Sequence, residues 1–89
     1  MKFQKDFKFL NLQVIKRKNS KDLKEDEQNF IKLNVLDEDN NPCSFFVFSI
    51  DLIRKILELK FSSLADLSIT FDLSFNNNNW HVGVLDING

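Results

Sequence analysis

The 89-residue chain has two glycines, one proline, one cysteine, one methionine and no tyrosine. A single cysteine excludes an intramolecular disulfide framework and suits a reducing compartment. The two glycines, Gly83 and Gly89, leave no glycine-rich phosphate loop. With glycine and proline scarce, eleven asparagines and the aspartates must supply most turn conformations. The longest apolar run is Phe45-Phe46-Val47-Phe48, far short of the ~18–20 residues that span a bilayer as a helix. The segment Met1-Lys2-Phe3-Gln4-Lys5-Asp6 has no apolar stretch of a secretory leader. These absences set the expectation of a cytoplasmic protein with no membrane association.

Catalytic constellations are lacking too. One histidine, His81, and one cysteine, Cys43, stand without metal-ligand spacing around them. Asp37-Glu38-Asp39-Asn40-Asn41 has the acidity of a calcium loop, but not its central glycine or terminal glutamate. It reads as a solvated turn. No carboxylate is paired with a base or nucleophile, so the expectation is a non-enzyme without metal or cofactor.

What is present is ordinary globular chemistry: 43% apolar and 28% charged residues, enough for one small domain over residues 1–89. The charge is segregated. Residues 1–24 hold eight cations and two acids, whereas residues 25–89 hold four cations and eleven acids. A net charge of −1 therefore hides a basic N-terminal part and an acidic body. One reading of the basic part is a solvated face; the other is a phosphate-binding stripe.

Hydrophobic periodicity predicts five strands and one helix. Leu10-Asn11-Leu12-Gln13-Val14 alternates at period two and continues through Ile15-Lys16-Arg17. Residues 18–28 are polar and charged, and read as a long loop or hairpin tip. Phe30 to Leu36 alternates with Ile31, Leu33 and Val35 on one side and Phe30, Lys32 and Asn34 on the other. Asp37 to Pro42 is a turn cluster, since proline is excluded from a central strand. Cys43 to Phe48 is a third strand, apolar on both faces.

A helix then opens with Ser49 as N-cap and Asp51 in its first turn. Ile50, Ile53 and Leu57, widened by Leu52, Ile56 and Leu59, make its apolar stripe. Leu67, Ile69, Phe71, Leu73 and Phe75 alternate with polar residues in a fourth strand. Asn76 to Asn79 is a hairpin loop, and Trp80 to Ile87 is the fifth strand. Gly83 inside that strand predicts a bulge or a close backbone approach. Cys43 reads as a small buried hydrophobe and His81 as a surface residue.

This βββαββ order resembles the OB-fold, a five-stranded, partly open Greek-key barrel, over residues 7–87. The chain length, the order, the basic first hairpin and the asparagine-rich composition look like small single-stranded DNA-binding proteins of phages and plasmids of AT-rich Gram-positive bacteria. The acidic C-terminal tip of larger bacterial single-strand binders is missing, because the chain ends Leu85-Asp86-Ile87-Asn88-Gly89. Recruitment of repair partners is therefore not implied. The resemblance implies non-specific binding of single-stranded DNA by a homo-oligomer, in replication or transfer of a mobile element.

An OB-fold binds oligonucleotides on its second and third strands and on the loops joining strands one to two and four to five. Carried onto this sequence, Lys16, Arg17, Lys18, Lys21, Lys24 and Lys32 would hold phosphates. Phe30, Phe46, Phe48 and Trp80 would stack on bases. Two features oppose this. Ten phenylalanines in a small domain fit a core role equally well. Glu25-Asp26-Glu27 would repel phosphate. The alternative class is a protein-binding module, such as a phage-encoded inhibitor or adaptor, acting through an apolar patch, a free strand edge or its acidic surface.

Overall fold

A computed structural model of the chain describes residues 1–16 and 29–89. It contains β1 (Lys2–Lys16), β2 (Asn29–Leu36), β3 (Pro42–Val47), α1 (Ile50–Leu59), β4 (Asp66–Asn76) and β5 (Asn79–Asn88). The strands form one antiparallel sheet in the order β3-β2-β1-β4-β5. The mostly-β class, the element order and the one helix among the described residues match the sequence-based expectation. The sheet itself is not closed. Its edge strands β3 and β5 approach within 8 Å at some Cα positions but share no ladder.

The first strand starts earlier than its central alternation indicates. Lys2 to Lys8 pair with β4, and Lys8 to Lys16 pair with β2, so β1 is the shared middle strand of both halves. The register slips between Phe9 and Asn11, which leaves Leu10 as an extra residue. Such a bulge bends the strand and switches which side chains face inward. Phe7 and Phe9 are buried before it, and Leu12 packs against the core after it. A second slip leaves Leu85 unpaired between Val84 and Asp86.

The inner face is filled by Ile31, Leu33 and Val35 from β2, Val47 from β3, Leu67, Ile69 and Phe71 from β4, and Ile87 from β5. Helix α1 adds Ile56, with Leu52 and Ile53 packed alongside. Ser49 caps the helix, its hydroxyl accepting from the Leu52 amide at 3.5 Å. Lys60 ends it in a left-handed conformation, φ 48°, where glycine is the usual residue. Of the other described residues with positive φ, Asn40, Asn77 and Asn78 are asparagines and Leu64 is not.

Helix and sheet are tied by Lys55 on α1. Its Nζ donates to Asp86 Oδ1 and to Asn88 Oδ1, both at 2.8 Å. Asp86 also accepts from the Ile87 amide at 2.9 Å and from Asn88 Nδ2 at 3.2 Å. The Lys55 hydrogen bond, followed by those from Asn88 and Ile87, holds the Asp86 carboxyl below the usual carboxylate range. A lowered folded-state value means the carboxylate stabilises the fold above that range, and the contribution fades as pH falls through it. Asp86→Asn is therefore expected to be less stable than the natural chain at neutral pH and to converge with it in acid. The difference is below about 1 kcal/mol, because the pair is half exposed. Thermal melts of both proteins from pH 7 downward check this.

The bulge expected at Gly83 lies two residues further on, at Leu85. Gly83 pairs regularly with Asp72, and a methyl group built on it would meet nothing within 4 Å. No close approach requires glycine there. Gly83→Ala should raise stability by roughly 0.5–1 kcal/mol through the lost freedom of the unfolded chain. A thermal melt shifted upward supports this, and a downward shift contradicts it.

Candidate functional site

Strand pairing determines which side chains share the outward face of β1, β2 and β3. Across the three strands, Asn11 lies opposite Asn34 and Ser44, and Gln13 lies opposite Lys32 and Phe46. Ile15 lies opposite Phe30. These positions alternate with the buried Ile31, Leu33 and Val47, so they point away from the core. The outward reading of Phe30, Lys32 and Asn34 agrees with this register, and Phe46 joins them.

The three phenylalanines touch. Phe30 and Phe48 stack with ring centroids 4.9 Å apart, and Phe30 and Phe46 are tilted at 6.2 Å. Phe46 is 47% exposed and Phe48 53% exposed. These rings therefore do not fill the core; Phe7, Phe9 and Phe71 do. Lys32 stands beside Phe46 in the register, and no described residue forms an ion pair or hydrogen bond with its ammonium. The eight outward positions Asn11, Gln13, Ile15, Phe30, Lys32, Asn34, Ser44 and Phe46 carry one charge, Lys32, and no carboxylate. The other half of the outward face differs, with Asp6, Asp66, Asp72 and Asp86 on β1, β4 and β5.

The remaining site residues are placed elsewhere. Lys16 is exposed and pairs with Asn29; by alternation it shares the side of Val14 and Ile31, opposite the rings. Arg17, Lys18, Lys21 and Lys24 lie outside the described residues. Trp80 is 63% exposed and packs on Phe75 at 5.2 Å. Its pairing puts it with Phe75, Leu73 and Val82 on the inner side of the sheet, at the tip of the β4–β5 hairpin. The ring contacts do not connect it to Phe30, Phe46 and Phe48. Among the described residues the exposed rings therefore fall into two groups, one beside Lys32 and one at a hairpin tip.

Sequence reading left out a polar row on the first of these faces. Ser44 Oγ donates to Asn34 Oδ1 at 2.7 Å, and Asn34 Nδ2 donates to Asn11 Oδ1 at 2.7 Å. The three residues are 33 positions apart at most, and only the strand register brings them into line. Cys43, by contrast, lies on the inner side, half-buried against the core. The carboxylate of Asp37 accepts from the Asp39 and Asn41 amides, which closes the acidic turn on itself. Among the described residues, no three His, Cys, Asp or Glu side chains gather as a metal site, and no helix is long and apolar enough to cross a membrane. No protein-family model, curated protein or solved structure shows significant similarity to this chain.

Proposed function

We propose that the protein binds single-stranded DNA without strict sequence selection, on the outward face of β2 and β3. The observation that carries this reading is the contact cluster Phe30–Phe46–Phe48 beside Lys32, whose ammonium no described residue engages, next to outward sheet positions without a carboxylate. Single-strand binders combine rings that stack on bases with cations that track the backbone. The strand order supports an OB-like assignment, since closing β3 onto β5 would complete a five-stranded barrel with α1 between its third and fourth strands. Arg17, Lys18, Lys21 and Lys24 supply the remaining phosphate contacts in this proposal, Lys16 drops out of it because it lies on the side of the sheet opposite the rings, and the biological setting is replication or transfer of a mobile element by a cytoplasmic homo-oligomer.

Fluorescence anisotropy with a labelled single-stranded oligonucleotide, repeated with its duplex and across salt, tests the proposal. Binding that prefers the single strand and weakens with salt supports it; no binding at low salt overturns it. A second reading, a protein-binding adaptor or inhibitor, is favoured by the exposed Phe75, Trp80 and Val82 at the β4–β5 tip. That protein would bind no nucleic acid and would lose its partner on Trp80→Ala.

A further inference from the structure

The tip of the β4–β5 hairpin projects past the core. Asn79 to Gly83 are all exposed, so both faces of that stretch of β5 meet water. A two-stranded ribbon in water is marginal by itself. Its apolar side chains, Phe75, Trp80 and Val82, are each more than half exposed. Residues 73–85 hold no lysine, arginine, aspartate or glutamate, in a chain with 28% charged residues. β5 is also an edge strand. The two-residue loop Asn77-Asn78 makes Asn76 and Asn79 a hydrogen-bonded pair. Alternation from there turns the backbone N–H and C=O of Trp80 and Val82 away from β4. Among the described residues, no second strand pairs with them. Sheet edges are ordinarily protected by lysine, proline or a bulge. The other edge strand, β3, opens with Pro42, whereas β5 has none of these before the bulge at Leu85.

We propose that this edge pairs with the same edge of a second copy of the chain, antiparallel about a twofold axis at His81. His81 is the middle of the exposed stretch. Centring there sets Trp80 opposite Val82 of the partner subunit, and each residue's open N–H and C=O bond the other's. His81 faces the partner's His81 in a non-hydrogen-bonded pair, where side chains come closest. The axis is normal to the sheet, so the Phe75, Trp80 and Val82 patches of both copies share one face and cover each other. The joined hairpins gain the three or more strands that a stable ribbon needs. Charge selects the occupant: identical neutral edges do not repel, and a charged partner finds no counter-charge here. The exposed side chains of both copies together offer on the order of 600 Å2. That is below the about 1,200 Å2 of a stable interface, so the dimer is weak and concentration-dependent. It gives the homo-oligomer proposed above its interface, and it stands whether or not the chain binds DNA, because the β2–β3 face lies at the opposite edge of the sheet.

Sedimentation equilibrium without DNA tests this from about 10 μM to about 1 mM, the range of weak complexes. The natural chain is expected to rise from the mass of one chain towards that of two and no further. His81→Glu and His81→Lys each set like charges opposite one another across the axis, so each should stay at one chain. Their equimolar mixture sets opposite charges there and should associate again. His81 is exposed, and circular dichroism verifies that both variants fold. Hydrogen exchange on the natural chain gives a readout without substitution. The Trp80 and Val82 amides should slow as concentration rises, whereas His81, whose amide already bonds β4, should not. A natural chain that stays monomeric throughout overturns the proposal and leaves the tip to another partner. Association unchanged in both variants overturns it in favour of a different interface. Variants that stay monomeric when mixed, or Trp80 and Val82 exchange independent of concentration, overturn it as well. Single-strand binding by a chain that never associates would strike this inference alone and leave the proposed function standing.

Discussion

Replacing Phe46 and Phe48 together by alanine is expected to weaken single-strand binding by at least about 30-fold at low salt. Base–aromatic stacking contributes about 1–3 kcal/mol per base, so two rings account for about 2 kcal/mol at the lower end. Neither ring is buried: about half of each is in water, Phe46 pairs with Lys32 on the outward face, and Phe48 stacks on Phe30. The substitutions leave the inner face untouched, so far-ultraviolet circular dichroism and the melting temperature should change little. That separation makes the variant informative. Lost affinity with a retained fold supports a binding role for the rings. Retained affinity contradicts it, and lost fold would show that the cluster is structural.

The second large effect concerns charge. Five cations are assigned to phosphates, and each contact with a single strand contributes about −0.7 to the slope of log K against log salt. The natural chain is therefore expected to show a slope of about −3.5. Changing Arg17, Lys18, Lys21 and Lys24 to alanine leaves Lys32, and the slope should flatten to about −0.7. The two proteins converge on the stacking contribution at molar salt, so a slope difference of about 2.8 makes the variant about 600-fold weaker one decade lower, at about 0.1 M. A parallel loss at all salt concentrations would mean that these side chains act through the fold. An unchanged slope would remove them from the interface. Glu25, Asp26 and Glu27 oppose these cations, so the measured slope weighs the two.

How far the fold is legible in the chain depends on the strand. In β2 and β4 the apolar positions alternate without a break, and the observed register follows the pattern. In β1 they do not. Phe3, Phe7 and Phe9 are odd-numbered and Leu10, Leu12 and Val14 even-numbered, so a single period-two template captures only the second set. The change of parity is itself the mark of the bulge at Leu10. Reading it would have extended the strand to Lys2 despite its charges. The same change occurs in β5, between Val82 with Val84 and Ile87. Gly83 predicts the irregularity two residues early, because glycine marks permissive backbone whereas the apolar phase marks where the register slips.

The candidate site shows a similar division. Alternation in β2 was enough to turn Phe30 and Lys32 outward, and the facing of Phe46 followed once β3 was paired with β2. The OB arrangement sets the loop of Trp80 next to the binding face, which groups it with those rings. Its pairing with Phe75 instead places it on the inner side of a hairpin that extends past the core. The Asn11–Asn34–Ser44 row carried no sequence signal, since each residue looks like an ordinary polar position within its own strand. Only cross-strand register assembles it.

The central claim is that a single strand of DNA lies on the outward face of β2 and β3. Amide chemical-shift mapping with unlabelled oligo-dT tests it most directly. The account predicts the largest shifts at Phe30, Lys32, Asn34, Ser44, Phe46 and Phe48, with Ile69 and Ile87 unmoved. Shifts confined to Phe75, Trp80 and Val82, or no shifts at saturating oligonucleotide, would contradict it.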